Sequence, residues 1–309
     1  MRLTKSFVMV GASLAMGALL LAACSSTSSP GATKGIPTGG SKVAGGTVRW
    51  AEPPSAPPNY IWPFMSLQDA SVDNISQFQY IMYRPLYYFG AAQSTSTALN
   101  TTVSLAQPPV YSDNGSQAVI NLKSYKWSNG EAVDANDVLF FLNLLHAEKA
   151  NFYAYLPGTI PDNITNVTVN SPTQLTIKFN NSYNSFWMTY NQFSEITPFP
   201  KAWDIKATGD AAGSGGCSTG TFGASSTDAA CTAVYTYLNG QAGNLASYDS
   251  NPIWGVVDGP FTIASSKGGS FDSSGDVTMV PNASYSGPVK PTISKFEEVP
   301  FTTDDAEYD

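Results

Sequence analysis

The segment Lys126–His146 constrains this chain more than any other. Ser128-Asn129-Gly130 is turn chemistry. Asp134 is placed to cap a helix, and Asp137 sits in its first turn, near the positive end of the aligned peptide dipoles. Val138, Phe141, Leu142 and Leu145 then recur at helical spacing. Leu139, Phe140 and Leu144 widen that face until most of the helix is apolar. A helix of this kind is stable only when it is largely buried, so the rest of the chain must build a sizeable core around it. The 42% apolar fraction is enough for that, which argues against wholesale disorder. His146, at the end of this helix, is the one histidine of the sequence. A histidine there is expected to pair with the last carbonyls of the helix rather than to catalyse.

Composition removes several functions. With one histidine and three cysteines, a His-rich zinc site and a four-cysteine metal site are excluded, and no cofactor is indicated. Any Ser-His-Asp or Cys-His catalyst would have to use His146. Lys and Arg total 15 against 23 Asp and Glu, a net charge of −8. That balance lacks the basic stripe that nucleic-acid binding needs. Charged residues are only 12% of the chain, where an ordinary soluble domain carries about 25%.

The first residues set a compartment. Arg2 and Lys5 precede an uncharged apolar stretch from Ser6 to Leu20. At roughly 15 residues it is short of the roughly 20 that span a bilayer. Leu21-Ala22-Ala23-Cys24 follows and looks like a bacterial lipobox, in which small residues admit a signal peptidase and the Cys24 thiol takes up diacylglycerol. Residues 1–23 are therefore expected to be a lipoprotein signal peptide, and residues 24–46, rich in Ser, Thr, Gly and Pro, a lipid-anchored flexible linker. The expected location is the extracellular face of the cytoplasmic membrane, periplasmic in a double-membrane organism. Outside the cytoplasm thiols oxidise. With Cys24 committed to lipid, Cys217 and Cys231 remain as a disulfide pair, two free thiols being the alternative.

In the body, Thr47–Ala51 opens as a strand, and Pro53, Pro54, Pro57, Pro58 and Pro63 force an irregular loop that carries Tyr60, Trp62, Phe64 and Met65. Ser76–Tyr88 reads as a helix ending near Arg84-Pro85. Residues 109–122 read as a hairpin about Asn114-Gly115. Alternating strands follow at 166–170 and 174–179, then a helix around Phe186, Trp187 and Tyr190. Ile196–Trp203 reads as a proline-bounded strand and turn, Val234–Leu238 as a helical piece, and three strands are expected in 258–263, 277–280 and 293–296.

Taken in order, these segments resemble the dipeptide/oligopeptide/nickel class of extracellular solute-binding proteins of ABC importers, family 5. The most specific piece is Trp127-Ser128-Asn129-Gly130-Glu131-Ala132-Val133-Asp134-Ala135-Asn136-Asp137-Val138. Supporting pieces are Gly46-Thr47-Val48, Tyr83-Arg84-Pro85-Leu86, Pro198-Phe199-Pro200-Lys201, Gly259-Pro260-Phe261, and Pro281-Asn282 through Tyr285 to Pro288–Pro291. Asp258 stands where the family has Thr, and Ala283 where it has Pro. The resemblance implies an α/β fold, a periplasmic-binding-protein-like lobe with a mixed sheet and flanking helices, plus a family-specific extra subdomain. Residues 47–309 would form this first lobe, with the second lobe largely absent from the chain.

The resemblance also implies a function. A lipid-anchored binding component would capture a small peptide or similar solute and pass it to ABC permease subunits, acting as a monomer and catalysing nothing. Tyr60, Trp62, Phe64 and Trp254 are the candidate ligand-binding residues, with packing between subdomains as their other reading. Two other functions stay open: a surface receptor or adhesin on the same fold, and a lipid-anchored hydrolase using a carboxylate pair.

Overall fold

The structure is a computed structural model that describes residues 44–91, 94–263, 271 and 275–303. Cys24, the leader and most of the linker lie outside the described residues. The described residues hold ten strands: β1 (Thr47–Ala51), β2 (Phe89–Ala91), β3 (Ser94–Leu99), β4 (Val110–Ser112), β5 (Gln117–Asn121), β6 (Ile164–Ser171), β7 (Gln174–Phe179), β8 (Phe261–Ile263), β9 (Val277–Pro281) and β10 (Lys295–Val299). They form a mixed sheet in the order β1-β10-β9-β8, an antiparallel sheet β4-β5-β7-β6, and the pair β2-β3. In the mixed sheet β1 runs parallel to β10, with Thr47 opposite Lys295, while β9 is antiparallel to both of its neighbours. This is the α/β, mixed-sheet architecture expected from the sequence.

The antiparallel sheet follows its pattern of alternation. Ala118 and Ile120 of β5 pair with Ile177 and Leu175 of β7, and all four are buried. The turn between β4 and β5 holds Asp113, Asn114 and Gly115 at φ of 50°, 56° and 86°. Gly115 is required for a second reason, since a Cβ there would lie 2.3 Å from the Tyr183 carbonyl oxygen.

The Ala135–Glu148 helix is as buried as its composition demands, with eight consecutive buried positions from Val138 to Leu145, of which only Asn143 is polar. Its start is a double cap. Asp134 Oδ1 accepts from the Asn136 backbone N–H at 2.7 Å, and Asp137 Oδ2 accepts from the Asp134 N–H at 2.9 Å. Asp137 Oδ2 also accepts the Trp127 indole N–H at 2.8 Å. Burial holds the Asp137 carboxyl well above the usual carboxylate range, and the hydrogen bonds from Asp134 and Trp127 oppose that shift. At the other end His146 departs from expectation. Its Nδ1 lies 2.8 Å from Asp228 Oδ1 in the first turn of the Ser225–Ala242 helix, so it ties two helices together rather than capping its own.

The same two helices clamp the cysteine-bearing loop. Cys217 and Cys231 are joined as a disulfide and are fully buried. Asn143 Nδ2 donates to the carbonyls of Cys217 and Gly220, and the buried Asp204 carboxylate accepts from the N–H groups of Cys217 and Ser218 and from the Ser218 hydroxyl.

Two expected elements differ. Residues 73–82 are a π-type turn (Asp73–Gln79) running into a short α-helix (Tyr80–Met82), and the helix stops before Arg84 because Pro85 disfavours helical geometry in the residue ahead of it. Ile196–Pro200 is not a strand: Pro198 and Pro200 have no N–H to donate, and the Ile196 carbonyl is tied to Leu86 N at 2.8 Å in an isolated link.

A buried carboxyl pair lies where β1 meets β10. Glu52 and Glu298 are both fully buried, and among the described residues their carboxyl groups have no partner but each other. Burial is the main cause raising both groups, and for Glu298 the facing Glu52 adds to it. A carboxyl raised in the fold takes up a proton on folding, so its contribution to stability is complete below the ordinary carboxylate range and is lost as pH rises above it. Glu298→Gln should flatten this dependence. The melting temperature of the unaltered chain is expected to fall between pH 5 and pH 8 by at least ~3 °C more than that of the variant, equivalent to roughly 1 kcal/mol. Equal slopes would remove the pair as the cause. Asp137→Ala should cost about 2–4 kcal/mol in urea denaturation, because it strands the Trp127 indole and the Asp134 N–H in the core. A loss under about 1 kcal/mol would show that the double cap is dispensable.

Candidate functional site

Several segments that stand far apart in sequence converge on one junction. Ser128 Oγ donates to the Gly255 carbonyl at 2.6 Å and accepts from Val257 N at 3.1 Å. One residue on, the buried Asp258 accepts the Arg84 backbone N–H through Oδ1 at 2.9 Å. Gly259 N donates to the Met82 carbonyl at 2.7 Å. The approach is so close that a Cβ on Gly259 would sit 2.5 Å from that carbonyl, so only glycine fits. Asn282 closes the junction by donating through Nδ2 to the Gly259 carbonyl at 3.0 Å. The turn of residues 127–130, the helix exit at 82–85 and the start of β8 are thereby fixed relative to one another.

That junction places Arg84 on the wall of a cavity of about 670 Å³. Tyr80, Tyr88, Phe89, Glu195, Phe261 and Phe296 stand on its other walls. The Arg84 guanidinium lies 5.8 Å from the Tyr88 ring centroid and 5.7 Å from that of Tyr285, and its Nη2 donates to the Tyr285 hydroxyl at 3.3 Å. Its Nε has no protein partner, and among the described residues no carboxylate comes within ion-pair distance of it. Asp258 is nearby, but burial pushes its carboxyl up to about 7, against the hydrogen bond and charge of Arg84. Arg84 is therefore a cation held in place by aromatic faces with its charge not spent on a neighbour.

Glu195 is the acidic counterpart. It comes from the short 3₁₀ turn Phe193–Glu195, and its Oε2 accepts the Tyr153 hydroxyl at 3.0 Å. Burial raises its carboxyl, while the bond from Tyr153 lowers it. Burial, then the Glu195 charge, pushes the Tyr80 phenol up to about 12, so it stays a neutral donor. Phe261 and Phe296, with ring centroids 6.2 Å apart, add an apolar surface. A cation, a carboxyl and flat rings around one cavity are suited to non-covalent recognition. Among the described residues no group of three or more His, Cys, Asp and Glu is arranged to hold a metal.

None of the four aromatics expected to line a ligand site is on the wall of this cavity. Trp62, Phe64 and Trp254 have no exposed surface and Tyr60 is 3% exposed. Trp62 and Phe64 pack with Phe199 and Tyr235. Trp254 packs on Trp203, which packs on Tyr83 beside Arg84. The physical reason is volume: the large helix needs large rings around it, and a proline-stiffened loop delivers them at little entropic cost. Sequence reasoning did not single out Glu195, Tyr88, Phe89 or Phe296, and it named Arg84 only as a helix exit. A usable signal was present, since Arg84 is one of three arginines in the whole chain and stands between aromatics.

The family model for "Bacterial extracellular solute-binding proteins, family 5 Middle" matches residues 101–308. No curated protein matches the chain. Among solved structures the chain is similar to the oligopeptide-binding protein AppA of Bacillus subtilis in complex with a nonapeptide, with a TM-score of 0.53 at 14% identity, covering 86% of this chain and 42% of that one. It is similar to the periplasmic binding protein DppA of Helicobacter pylori in complex with the peptide STSA, with a TM-score of 0.52 at 14% identity and coverage of 86% and 45%. It is also similar to the ABC transporter substrate-binding protein CtaP of Listeria monocytogenes, with a TM-score of 0.51 at 17% identity and coverage of 85% and 42%. The chain thus spans 42–45% of the length of these structures, and at such identities the likeness is one of fold. With two thirds of its residues under the family model and its fold in agreement, the chain belongs to the bacterial extracellular solute-binding proteins of family 5.

Proposed function

We propose that this chain is the solute-capturing part of a lipid-anchored substrate-binding component of an ABC importer. It works on the extracellular face of the cytoplasmic membrane, as a monomer, and hands a small peptide or similar solute to a membrane permease without chemical change. Family membership supports the class, and AppA and DppA are both described in complex with peptides. The observation that carries the reading is the cavity that holds Arg84 and Glu195 with aromatic walls. A peptide is a zwitterion with apolar side chains. Its carboxylate would meet the uncommitted Arg84 guanidinium and its ammonium the Glu195 carboxylate, with Phe261, Phe296 and Tyr88 against the chain between. Trp254 contributes from behind, through Trp203 and Tyr83, as packing next to Arg84.

The test is titration of the chain with trialanine by calorimetry. Arg84→Ala and Glu195→Gln should each weaken binding about 10–100-fold, the worth of one charged hydrogen bond. Amidating the peptide carboxylate should reproduce the loss in the unaltered chain but not add to it in Arg84→Ala. Equal affinities in all cases would sink the cavity as the peptide site. The anchor has its own test: Cys24→Ser should abolish incorporation of labelled palmitate and release the protein into the medium, because membrane attachment then loses its acyl chains. Retention on the membrane without label would reject lipidation.

A further inference from the structure

Beside Tyr60, a second cleft of about 410 Å³ is lined by Asn59, Tyr60, Asp69, Asn239, Gly243 and Leu245. None of these residues takes part in the cavity above. Three of the side chains share one arrangement, in which one end is fixed by the protein and the other is left over. The Tyr60 hydroxyl donates to Asn239 Oδ1 at 2.8 Å, which leaves the Asn239 amide NH₂. Asn74 Nδ2 donates to Asn59 Oδ1 at 2.9 Å, which leaves the Asn59 NH₂. Ser66 Oγ donates to Asp69 Oδ2 at 2.8 Å, which leaves Asp69 Oδ1. Burial raises the Tyr60 phenol far above its ordinary range, so it remains the donor that orients Asn239. Asn239 is in the last turn of the Ser225–Ala242 helix, and Gly243 is its C-cap, so the cleft lies at the negative end of the helix dipole.

The leftover groups discriminate among ligand chemistries. An anion would satisfy the two amide donors but face the Asp69 carboxylate and the helix C-terminus. An ammonium ion would satisfy Asp69 but set its positive charge against two N–H donors. A neutral hydroxyl satisfies both, since each O–H donates once and accepts twice. Adjacent hydroxyls can donate to Asp69 Oδ1 while accepting from the Asn59 and Asn239 amides, and Leu245 offers an apolar contact to C–H groups. The volume lies within the range of small-molecule sites, about 300–1,000 Å³. We propose that this cleft is a binding site for a neutral polyhydroxylated ligand of sugar or polyol type, separate from the peptide cavity.

The experiment titrates the full chain with glucose, trehalose and myo-inositol, and in parallel with methylammonium chloride, sodium phosphate and trialanine, followed by NMR chemical shifts. At least one of the three hydroxylated probes is expected to saturate, and Asp69→Asn and Asn239→Ala each to weaken it about 10-fold or more. Asn59→Ala, at an exposed position, provides a variant with little risk to folding, and thermal melts establish that all three remain folded. Methylammonium and phosphate are expected to give no saturable response, and trialanine binding to be the same in all variants. The proposal is overturned if none of the hydroxylated probes saturates by about 50 mM, if the variants bind them as tightly as the unaltered chain does, or if methylammonium saturates in a way that depends on Asp69. A failure of trialanine to bind would count against the peptide cavity alone.

Discussion

The approach of Gly259 to the Met82 carbonyl, with Asp258 holding the Arg84 N–H beside it, is the contact on which the arrangement rests. It is a backbone-on-backbone contact with no room for a side chain, so a shift of a few tenths of an ångström would break it. Through it the exit of the short helix, the start of β8 and the Ser128 turn share one frame. Arg84 inherits its position from that frame rather than from a partner of its own charge. The arrangement resolves an apparent cost: a buried carboxylate beside an arginine would normally form an ion pair, but Asp258 spends one oxygen on backbone and leaves the guanidinium to the aromatic faces.

Much of the fold was legible in the sequence because it is written in local chemistry. The capped helix, the β4–β5 hairpin and the β6–β7 pair each carry their own turn residues and periodicity. The family segments proved to be more than separate fingerprints, since Arg84 bonds Asp258 and Tyr285, Asn282 bonds Gly259, and Ser128 bonds Val257. Local signals failed where geometry is set from a distance. The Ile196–Trp203 segment has strand-like residues, yet its prolines deny it a ladder. His146 finds Asp228 82 positions away, which no spacing rule anticipates.

The site was less legible for a physical reason. Aromatic residues on an irregular loop are equally suited to a core and to a ligand wall, and only burial tells them apart. Here the core claimed Trp62, Phe64 and Trp254, while the cavity was given smaller and more scattered contributors such as Glu195 and Phe296. A chain with so few charges offers a better guide. Where charges cover only an eighth of the sequence, each uncommitted one at a cavity stands out, and Arg84 and Asp69 are two such groups.

The parallel pairing of β1 with β10 has a bearing on assembly. Arg49 and Glu297, which bridge the two strands, are 248 positions apart. At a synthesis rate of about 5–20 residues per second, the first strand waits on the order of 10–50 s for its neighbour to exist. During that interval a short, wholly exposed ribbon carrying Val48 and Trp50 has no mate in its own sheet. High contact order of this kind slows the closing step and extends the period in which a chaperone has something to hold.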